Sequence, residues 1–475
     1  MSAVVTMQRA VGCVVGSAVG DALGAPFEFG PPHKYSQTYP VPKHGGTGEM
    51  TGGGGFHWDP GQFTDDNEMA VVVAESLLAC GGIDAEDQLT RFRAWSAKAH
   101  DVGNLTRHVL ASGLPAVSAA TTALVDRHGR HTAGNGSLMR AAPGAVRFAS
   151  AGRDATVAAA LQLSAVTHAD PLCQWAVAVQ HDMIRVALDG RDPTTAIDGV
   201  LALAPADVRD VYTPLLSPSW VPNDRDPGNG SAMGALAQAV WSLRLSLASR
   251  SFADTVTRVI DLGDDTDSVA AVAGALAGAT FGIQNIPSRW LAYVHGRVAG
   301  VDGHVHSYDH LALQHLAMEL IGWPDSPMAK DFPVLAPREV SPGLWATNRS
   351  GARTAPDDWA MVSLCRIDAT MRRPVRRETF LVDQSGDWNP ALAVAVDDVL
   401  DSIDALLAEG RQVVVHCHAG QSRTGLVLAA HLMRHGRSLA EAWDLLAEKW
   451  PHANAQNPRF ADELERRDRL MLDMS

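Results

Sequence analysis

Residues 416–425 read His416-Cys417-His418-Ala419-Gly420-Gln421-Ser422-Arg423-Thr424-Gly425, and this stretch decides the fold of the C-terminal part of the chain. A short apolar strand at residues 412–415 precedes it, and a helical segment at residues 426–434 follows it. A loop that leads from a buried strand into a helix presents backbone N–H groups and the positive end of the helix dipole, and these bind a phosphate dianion. The same environment favours a thiolate at Cys417, and the Arg423 guanidinium can fork onto two phosphate oxygens. The stretch therefore predicts a phosphate site between a strand and a helix.

The sequence around this loop predicts the rest of a small α/β domain with a central sheet flanked by helices. Residues 359–364 and 379–382 have the pattern of strands. Residues 391–407 have helical periodicity, with Asn389 as the expected N-cap and Gly410 just past the end. Ser438 and Glu441 have the spacing of a capping box, which predicts that a further helix begins there.

The sequence before residue 330 has a different texture and predicts a large all-α domain. From about residue 8 to residue 321 the periodicity is helical, and the connecting loops are rich in glycine. The clearest predicted helices are residues 67–78, 84–97, 174–188, 231–247 and 267–281. Prolines in residues 324–342 disfavour helix and indicate a linker. We therefore expect a multidomain chain with an all-α domain at residues 1–330, a Pro-rich linker at 331–340 and an α/β domain at 341–475.

Composition places the chain among globular proteins and limits its partners. Of the 475 residues, 46% are hydrophobic and 19% are charged, and the formal net charge is −14. An acidic surface repels nucleic acid and anionic lipid, so a phosphate-bearing substrate needs a local basic site. The five cysteines are scattered without CxxC spacing, which predicts neither a disulfide framework nor a zinc cluster and favours a reducing, cytoplasmic location.

The apolar residues 11–29 are predicted to form a buried helix, because Asp21 and Glu28 interrupt them and no charged region precedes a clean apolar run. Glycines recur at every fourth position of this helix: Gly12, Gly16, Gly20 and Gly24. Such a stripe allows another backbone to approach closely, and in a membrane it would indicate dimerisation. With Asp21 in its middle, we expect close packing inside a soluble domain and no membrane partner.

The loop at residues 416–425 resembles the signature loop of the cysteine-based protein phosphatases, and its Ser-Arg-Thr-Gly ending resembles that of the dual-specificity branch. The resemblance covers residues 340–475 and implies hydrolysis of a phosphate monoester on a phosphorylated substrate. It implies that Cys417 forms a phosphocysteine, that Arg423 holds the phosphoryl group and that Thr424 assists departure of the cysteine. The remaining loop residues that it implies bind phosphate are His418, Ala419, Gly420, Gln421 and Ser422.

Members of this phosphatase family also need an aspartic acid that protonates the leaving oxygen. Asp383, at the end of the predicted strand 379–382, is the preferred candidate, and Asp387 is its competitor. A dense positive cluster lies just before them: Arg372, Arg373, Arg376 and Arg377. This cluster either recruits an anionic substrate or is a solvated loop.

Three segments of the predicted helical domain carry hard oxygen ligands. Asp21 and Glu28 lie in the first, Thr64-Asp65-Asp66 is the second, and Asp265-Thr266-Asp267-Ser268 is the third. Each alone is explained by helix capping, because Thr, Ser and Asp are good N-caps. Together, carboxylates and hydroxyls without a matching His or Cys cluster favour Mg²⁺ or Mn²⁺ over zinc, in a carboxylate-bridged metal pair.

These segments resemble the signatures of the ADP-ribosylglycohydrolase family, and the resemblance spans residues 8 to about 300. The matching motifs are Gly20-Asp21-Ala22-Leu23-Gly24-Ala25-Pro26, Thr64-Asp65-Asp66, Gly134-Asn135-Gly136-Ser137, Thr167-His168, Gly228-Asn229-Gly230-Ser231 and Asp265-Thr266-Asp267. The resemblance implies an all-α orthogonal helical fold that binds two Mg²⁺ ions. The implied metal ligands are Thr64, Asp65, Asp66, Asp265, Asp267 and Ser268. Glu28 is implied to lie near the water or the substrate ribose, and the residues implied to bind substrate are Asn135, Gly136, Ser137 and His168.

Two positions depart from the pattern of this family. Asp264 replaces a glycine that is usual before the Asp-Thr-Asp run, and Ser268 stands where threonine is common. The hydroxyl is retained at Ser268, so a ligand role remains open. Asp264 adds charge and backbone constraint, which would alter metal affinity.

The two resemblances together predict a bifunctional hydrolase. The first domain would cleave an ADP-ribosyl N- or O-glycosidic bond with Mg²⁺, and the second would hydrolyse a phosphate monoester. The alternative is that the first domain binds ADP-ribose without cleaving it and targets an active protein tyrosine or serine/threonine phosphatase. Retention of the four aspartates Asp65, Asp66, Asp265 and Asp267 favours hydrolysis.

Overall fold

The computed structural model describes residues 3–126, 132–223, 225–324, 331–384, 386 and 388–474, and the chain forms two compact units. The first unit comprises Met1–Val41, Met50–Ile286 and Tyr293–Asp325. The second comprises Pro42–Glu49, Pro287–Ala292 and Ser326–Ser475. The second unit therefore includes two short segments from the part of the chain that otherwise builds the first.

The region before residue 325 is helical, and the five clearest predicted helices are confirmed with shifts of a few residues at their ends. Its α-helices are α1 (Ala3–Gly24), α2 (Lys34–Thr38), α3 (Asp65–Cys80), α4 (Ala85–Ser96), α5 (Asn104–Ala111), α6 (Ala116–Asp126), α7 (Ala142–Phe148), α8 (Arg153–Ala165), α9 (Pro171–Leu188), α10 (Ile197–Leu201), α11 (Ala206–Leu215), α12 (Ala232–Ser246), α13 (Phe252–Ile260), α14 (Thr266–Phe281), α15 (Ser288–Leu291) and α16 (His310–Leu320).

A small antiparallel hairpin interrupts this helical region, and the sequence analysis missed it. Its strands are β1 (His295–Ala299) and β2 (Val305–Asp309). All five residues of β2 are exposed or half-exposed. The strand therefore lacks the alternation of apolar and polar residues that marks a half-buried strand in a sequence.

The core of the first unit is built on the close contact of α1 with α14. A Cβ on Gly20 would lie 2.1 Å from the carbonyl oxygen of Ala270, and one on Gly16 would lie 2.5 Å from that of Gly274. The contact is mutual, because a Cβ on Gly278 would lie 1.9 Å from the carbonyl oxygen of Gly12. The expected close packing of the glycine stripe is therefore confirmed. The stretch Thr6–Phe27 has the length and hydropathy of a membrane span, and its most apolar window is 94% buried inside the protein.

We expect Gly20→Ala to destabilise the first unit by about 3 kcal/mol, because the added methyl group meets backbone that cannot rotate away. Gly82→Ala is the matched control, since nothing lies within 4 Å of a Cβ at Gly82. Thermal and urea unfolding of the full chain would measure both variants. An equal, small effect of the two substitutions would contradict the close approach of α1 to α14.

The second unit is a five-stranded sheet flanked by helices, so the predicted small α/β fold is confirmed. Its strands are β3 (Arg338–Ser341), β4 (Leu344–Asn348), β5 (Ala360–Ser363), β6 (Arg376–Glu378) and β7 (Val413–Cys417). Its further helices are α17 (Arg349–Ala352), α18 (Leu392–Ala408), α19 (Ser422–Arg434), α20 (Leu439–Lys449) and α21 (Pro458–Met474). The strand order is β3-β4-β7-β5-β6, with β3 antiparallel to β4 and the other pairs parallel.

The central strand β7 is buried along its whole length because both faces of the sheet are covered. On one face Val413 and Val415 pack in a core that includes Ile403 of α18 and Leu428 of α19. On the other face Val414 packs in a smaller cluster around Met361. A parallel strand buried on both faces has an almost continuous apolar sequence, as residues 412–415 predict. Cys417, the last residue of β7, is therefore held at the carboxyl edge of the sheet.

Two expectations about the approach to residue 383 were wrong. The strand predicted at residues 379–382 lies at Arg376–Glu378, and the Thr379 N–H still donates to the Ser363 carbonyl of β5 at 3.0 Å. Asn389 is not the N-cap of α18, which is Ala391. The Asn389 amide instead donates to the carbonyl of Val382 and accepts from its N–H, both at 2.8 Å. It therefore fixes the loop that leads to Asp383. The capping box of Ser438 and Glu441 is confirmed at the start of α20.

Three arginines of the cluster bind backbone carbonyls and are not part of a solvated loop. Arg373 and Arg377 are 7% and 0% exposed. Arg373 donates to the carbonyl of Ala355 at 3.0 Å, and Arg377 donates to that of Gly46 at 3.0 Å. Arg376 donates to the carbonyl of Arg373 at 3.0 Å. The cluster therefore satisfies backbone carbonyls inside the second unit, a use that charge density alone does not reveal.

The described part of the interval taken as a linker makes specific contacts within the second unit. Asp331 pairs with Arg349 at 2.6 Å and with Arg353 at 2.7 Å. The Leu335 N–H donates to Asn348 at 3.2 Å, and β3 begins inside the interval at Arg338. Through these contacts, residues 331–340 pack as part of the second unit.

Candidate active sites

The first unit contains a pocket of about 1030 Å³ that is lined by many carboxylates. It brings together residues from all three segments that carry hard oxygen ligands, and its acidic and hydroxyl lining includes Glu28, Asp65, Asp66, Asp101, Asp264, Asp265, Asp267 and Ser268. Asn135, Gly136 and His168, which were predicted to bind substrate, also line it. Thr64 and Ser137 do not line this pocket.

Asp21 fixes the start of α3 and does not face the pocket as a free ligand. It is 0% exposed, and its carboxylate accepts from the Thr64 N–H at 2.9 Å and from the Asn67 side chain at 2.9 Å. Thr64 is the N-cap of α3, and its hydroxyl donates to Asp66 at 3.2 Å. The Gly-Asp-Ala motif of α1 therefore positions Asp65 and Asp66, a role that the sequence analysis did not assign.

A second carboxylate group lies at the start of α14. The Asn135 amide donates to Asp265 at 2.9 Å and to the carbonyl of Asn229 at 2.9 Å. Asn229 in turn accepts from the Asp265 N–H at 3.1 Å. The Ser268 N–H donates to Asp267 at 2.9 Å. The first Gly-Asn-Gly-Ser loop thus holds the Asp265 carboxylate, and the second holds its backbone N–H.

The arrangement of oxygens fits a divalent cation. Carboxylate oxygens of Glu28, Asp265 and Asp267 lie within 4.8 Å of one another. Asp66 Oδ1 is buried and accepts no hydrogen bond from any residue that the structure describes. A buried carboxylate oxygen without a partner is costly unless a cation or proton satisfies it. The structure therefore adds Glu28 to the predicted ligand group, whereas the sequence placed it near the water or ribose.

The same carboxylates hold protons unusually strongly in the absence of a cation. Burial and the neighbouring Asp265 raise the pKa of Glu28 to about 8. Burial raises the pKa of Asp21 to about 6, against the hydrogen bonds that it accepts. Burial, with Asp66 and Asp265 alongside, raises the pKa of Asp267 well above its usual range. Such a cluster exchanges protons for metal ions, because oxygen ligands must be deprotonated to bind them.

His168 and Gly136 form a rigid wall of the pocket. The His168 ring lies 2.8 Å from the Thr167 hydroxyl, which accepts from buried Arg140 at 2.7 Å. Burial and the Arg140 charge lower the pKa of His168 to about 3, so the imidazole is neutral. A Cβ on Gly136 would lie 2.9 Å from the His168 ring, which explains the glycine. Ser137 points into the core, with its hydroxyl 2.8 Å from that of Ser164.

Asp264 has the backbone conformation that glycine favours. Its φ is +64°, in the left-handed region. Its N–H donates to the Gly30 carbonyl at 3.0 Å, and its carbonyl accepts from the Phe29 N–H at 2.7 Å. This bridge joins the first and third ligand segments, and the positive φ shows why a glycine would be less strained at this position.

Further residues that no sequence motif predicted also line this pocket. Asp101 adds a carboxylate, and its charge helps to raise the pKa of Glu28 and of Asp65. Phe29 and Phe56 add aromatic surface, and Phe29 is 70% exposed. No local motif marks these residues, because each stands alone in a loop sequence.

The second unit presents the predicted phosphate loop between β7 and α19. Cys417 is 1% exposed and ends β7, and α19 begins at Ser422, four residues earlier than expected. Gly420 has φ +71°, and a Cβ there would lie 2.9 Å from the carbonyl oxygen of Thr347. The Trp450 indole donates to the Gly420 carbonyl at 2.7 Å. The loop is thus curved tightly over the helix N-terminus.

Arg423 and Thr424 keep polar atoms available beside this loop. Arg423 Nη1 donates to the Leu381 carbonyl at 3.1 Å, which fixes the guanidinium. Its Nε is buried and has no hydrogen-bond partner among the residues that the structure describes. The Thr424 hydroxyl is likewise buried and has no described partner. Buried polar groups are normally satisfied, so these two donors are suited to bind a polar ligand such as a phosphate.

Asp383 lies within hydrogen-bond distance of the loop. Its carboxylate accepts from the Ser422 hydroxyl at 3.0 Å and from the Asn457 amide at 3.1 Å. Its competitor, Asp387, lies outside the described residues.

The other residues in and next to the phosphate loop make specific contacts. His416 Nε2 lies 2.8 Å from the Ser363 hydroxyl oxygen, within hydrogen-bond distance. Burial lowers the pKa of His416 to about 4. The His418 ring contacts Phe332 with centroids 5.0 Å apart. Gln421 is the N-cap residue of α19 but makes no side-chain cap bond there. Burial raises the pKa of the nearby Cys365 to about 12, so Cys365 remains a thiol.

Comparison with known proteins identifies both units. Residues 2–323 match the model of the ADP-ribosylglycohydrolase family. The chain belongs to this family. Residues 366–468 match the catalytic domain of the dual specificity phosphatases. Both parts are therefore of hydrolase families, and the two predicted family resemblances are confirmed.

Relatives match the ADP-ribosylglycohydrolase part over most of their own length. The ADP-ribosyl-[dinitrogen reductase] glycohydrolase of Rhodospirillum rubrum is 31% identical over 287 residues, which cover 60% of this chain and 89% of that protein. The ADP-ribosylarginine hydrolase Tri1 of Serratia proteamaculans is 28% identical, covering 60% and 75%. A solved ADP-ribosylglycohydrolase-related protein complex has a chain that is 30% identical with a TM-score of 0.53, covering 67% and 98%. The family is metal-dependent, and the acidic pocket supplies candidate ligands.

Proposed function

We propose that the first unit hydrolyses the bond between ADP-ribose and an arginine side chain, with two Mg²⁺ ions held by Asp65, Asp66, Asp265, Asp267 and Glu28. The observation that carries this proposal is the buried, unpartnered Asp66 oxygen in a pocket where carboxylates from separate segments converge. The arginine linkage is supported by the name of the Serratia relative, an ADP-ribosylarginine hydrolase. Oxygen ligands of this kind suit Mg²⁺ or Mn²⁺.

The chemistry of the pocket follows from its residues. Bound metal ions would supply Lewis-acid polarisation and orientation of the ribose hydroxyls and water. The neutral His168 ring offers a hydrogen bond without adding charge. Phe29 and Phe56 offer aromatic surface on which a purine can stack. Glu28, with its raised pKa, can exchange a proton with water in the pocket.

The alternative is a binding module that retains ADP-ribose without cleaving it. Incubation of the full chain with an ADP-ribosylarginine peptide and, separately, an ADP-ribosylserine peptide distinguishes the possibilities. We expect Mg²⁺-dependent release of ADP-ribose from the arginine peptide, abolished by EDTA and restored by Mg²⁺. Tight binding of both peptides without release would contradict hydrolysis. Release from the serine peptide alone would contradict only the proposed linkage.

The pKa shifts predict that, as the pH rises, the metal-free first unit becomes less stable and gains more stability from added Mg²⁺. The pKa of Glu28 is raised from 4.5 to about 8 and that of Glu68 from 4.5 to about 7 in the metal-free protein. Their stabilising contribution is thus complete below about pH 4.5 and is lost as the pH rises towards 8. We expect the melting temperature of the first unit in EDTA to fall across this range. The increase produced by Mg²⁺ should be larger at pH 8 than at pH 6. A pH-independent effect of Mg²⁺ would contradict binding at this cluster.

We propose for the second unit a phosphatase reaction through a phosphocysteine. Cys417 Sγ attacks phosphorus, the ester P–O bond breaks, and Asp383 donates its proton to the leaving oxygen. Water then attacks the phosphocysteine, the S–P bond breaks, and Asp383 accepts the proton from water. Arg423 Nε, which has no partner among the described residues, and the loop N–H groups bind the phosphoryl oxygens, and the Thr424 hydroxyl can donate to the departing sulfur. The proximity of Asp383 to Ser422 supports this assignment.

A further inference from the structure

The second unit contains a cluster of two histidines and an aspartate that neither hydrolase reaction uses. His431 lies in the last turn of α19, His435 is its C-cap residue, and Asp404 lies on α18. Candidate ligand atoms of the three side chains lie within 4.8 Å of one another. His431 Nδ1 is 3.2 Å, and His435 Nε2 is 3.0 Å, from the same oxygen, Asp404 Oδ1. Both imidazoles thus converge on one carboxylate oxygen.

The helical spacing explains this convergence. Residues four apart lie on one face of a helix, so the two rings lie side by side, with centroids 4.5 Å apart and planes inclined at 51°. Arg434, which lies between them in sequence, donates to the other oxygen of Asp404, Oδ2, at 3.2 Å. Carboxylates that bind metals are commonly oriented by such a bond on their second oxygen. The arrangement leaves Oδ1 facing the imidazoles.

One of the histidines is buried and incompletely satisfied. His431 is 4% exposed, and its Nδ1 has no hydrogen-bond partner of acceptable geometry among the described residues, despite its closeness to Asp404. A buried ring nitrogen usually has a partner. His431 Nδ1 thus lies 3.2 Å from Asp404 Oδ1 without a well-directed hydrogen bond, and a cation between the two atoms would satisfy both.

The helix end attracts a cation, the nearby Arg434 and Arg437 oppose it, and a cavity leaves room for a further ligand. The cluster lies where α19 ends, and the C-terminus of a helix carries partial negative charge. A cavity of about 480 Å³ adjoins it, lined also by Val340, Pro342, Leu407 and Leu445. A site with three protein ligands and an open side suits a tetrahedral ion that completes its shell with water.

We propose that Asp404, His431 and His435 bind a divalent transition-metal ion of the zinc class. Two imidazoles and one carboxylate are ligands typical of zinc and unlike the all-oxygen set of the pocket in the first unit. The ion joins α18 to α19. Because α19 begins at Ser422 in the phosphate loop, His431 and His435 lie about 14 and about 20 Å along the helix from that loop. The site is therefore structural for the second unit and takes no part in phosphate binding.

The test uses the full chain, stripped with EDTA and then titrated with Zn²⁺ alone and, separately, with Co²⁺. His435→Gln is the main variant, because His435 is exposed and its replacement leaves the core intact. His431→Gln is the second, and His452→Gln, another exposed histidine of the same unit, is the control. All four proteins keep the acidic pocket and Cys417, so metal binding at those places cancels in the comparison.

We expect wild type and His452→Gln to bind one more equivalent of Zn²⁺ than His435→Gln, or to bind that equivalent at least tenfold more tightly. Their Co²⁺ complexes should show the intense visible band of tetrahedral cobalt, lost in both cluster variants. Zn²⁺ should raise the melting temperature of the second unit in wild type and control alone. Identical stoichiometry, affinity and Co²⁺ spectra in all four proteins would overturn the proposal.

Discussion

Cys417→Ser is expected to lower the hydrolysis of p-nitrophenyl phosphate by the full chain at least about 10³-fold, because serine is a far weaker nucleophile at neutral pH. The measurement is steady-state release of p-nitrophenol at saturating substrate. Cys80→Ser is the control, since Cys80 is an exposed cysteine of the first unit. The ADP-ribosyl hydrolase activity of both variants should equal that of wild type. Residual phosphatase activity near wild type in Cys417→Ser would contradict the assigned nucleophile.

The leaving group provides a separate test of Asp383. A general acid contributes about 10²–10⁴-fold, and less when the leaving group departs without a proton. Asp383→Asn should therefore slow the hydrolysis of phenyl phosphate more than that of p-nitrophenyl phosphate. Asp387→Asn is the comparison, because the sequence leaves it as a competitor. A greater loss in Asp387→Asn, with the same dependence on the leaving group, would transfer the role to that residue.

Asp267→Asn is expected to reduce Mg²⁺-dependent release of ADP-ribose at least about 10³-fold, because it removes a carboxylate from the centre of the acidic cluster. The same change should raise the melting temperature of the first unit in EDTA, since burial and the neighbouring Asp66 and Asp265 charges oppose ionisation of Asp267. The stabilisation by added Mg²⁺ should diminish. Asp254→Asn is the matched control, because Asp254 also lies in the first turn of a helix but is exposed.

These two readouts of Asp267→Asn separate a metal ligand from a structural residue. A purely structural aspartate would lower the melting temperature with and without Mg²⁺ when replaced. Replacing a metal ligand instead lowers the activity and the stabilisation by Mg²⁺, while the metal-free protein becomes more stable. Lower stability in EDTA, together with undiminished Mg²⁺ stabilisation, would exclude Asp267 as a ligand.

The sequence predicted those features that depend on local chemistry or strict periodicity. The glycine stripe of α1 predicted close backbone packing because a missing side chain at every fourth position has one geometric meaning, and Gly20 lies against α14 accordingly. The run from His416 to Gly425 predicted its own strand, loop and helix because its chemistry requires them. Asp66 and Asp267 were found because each lies in a motif that opens a helix.

The features that the sequence did not predict depend on contacts distant along the chain. Asp21 holds Thr64 and Asn67, which lie more than 40 residues away, so it was not distinguished from a ligand. Arg377 is buried against the carbonyl of Gly46, whereas its sequence neighbours suggested an exposed cluster. Asn389 was expected to cap α18, but it binds the backbone of Val382. In each case a hydrogen bond to a residue outside the local motif fixes the side chain.

The inclusion of residues 42–49 and 287–292 in the second unit has the same origin. Arg289 lies 2.9 Å from buried Glu49 and 3.0 Å from Asp398 of α18. Glu49 also accepts from the Trp290 indole at 2.6 Å. Both segments lie within the helical part of the sequence, and the fold brings their charges to α18 of the second unit.

The most direct test of two hydrolases in one chain measures both activities on the same four proteins: wild type, Asp267→Asn, Cys417→Ser and the double variant. The substrates are an ADP-ribosylarginine peptide with Mg²⁺ and p-nitrophenyl phosphate. We predict that each single variant loses one activity and retains the other at the wild-type rate, and that the double variant loses both. Loss of both activities in either single variant, or of neither, would contradict two independent catalytic sites.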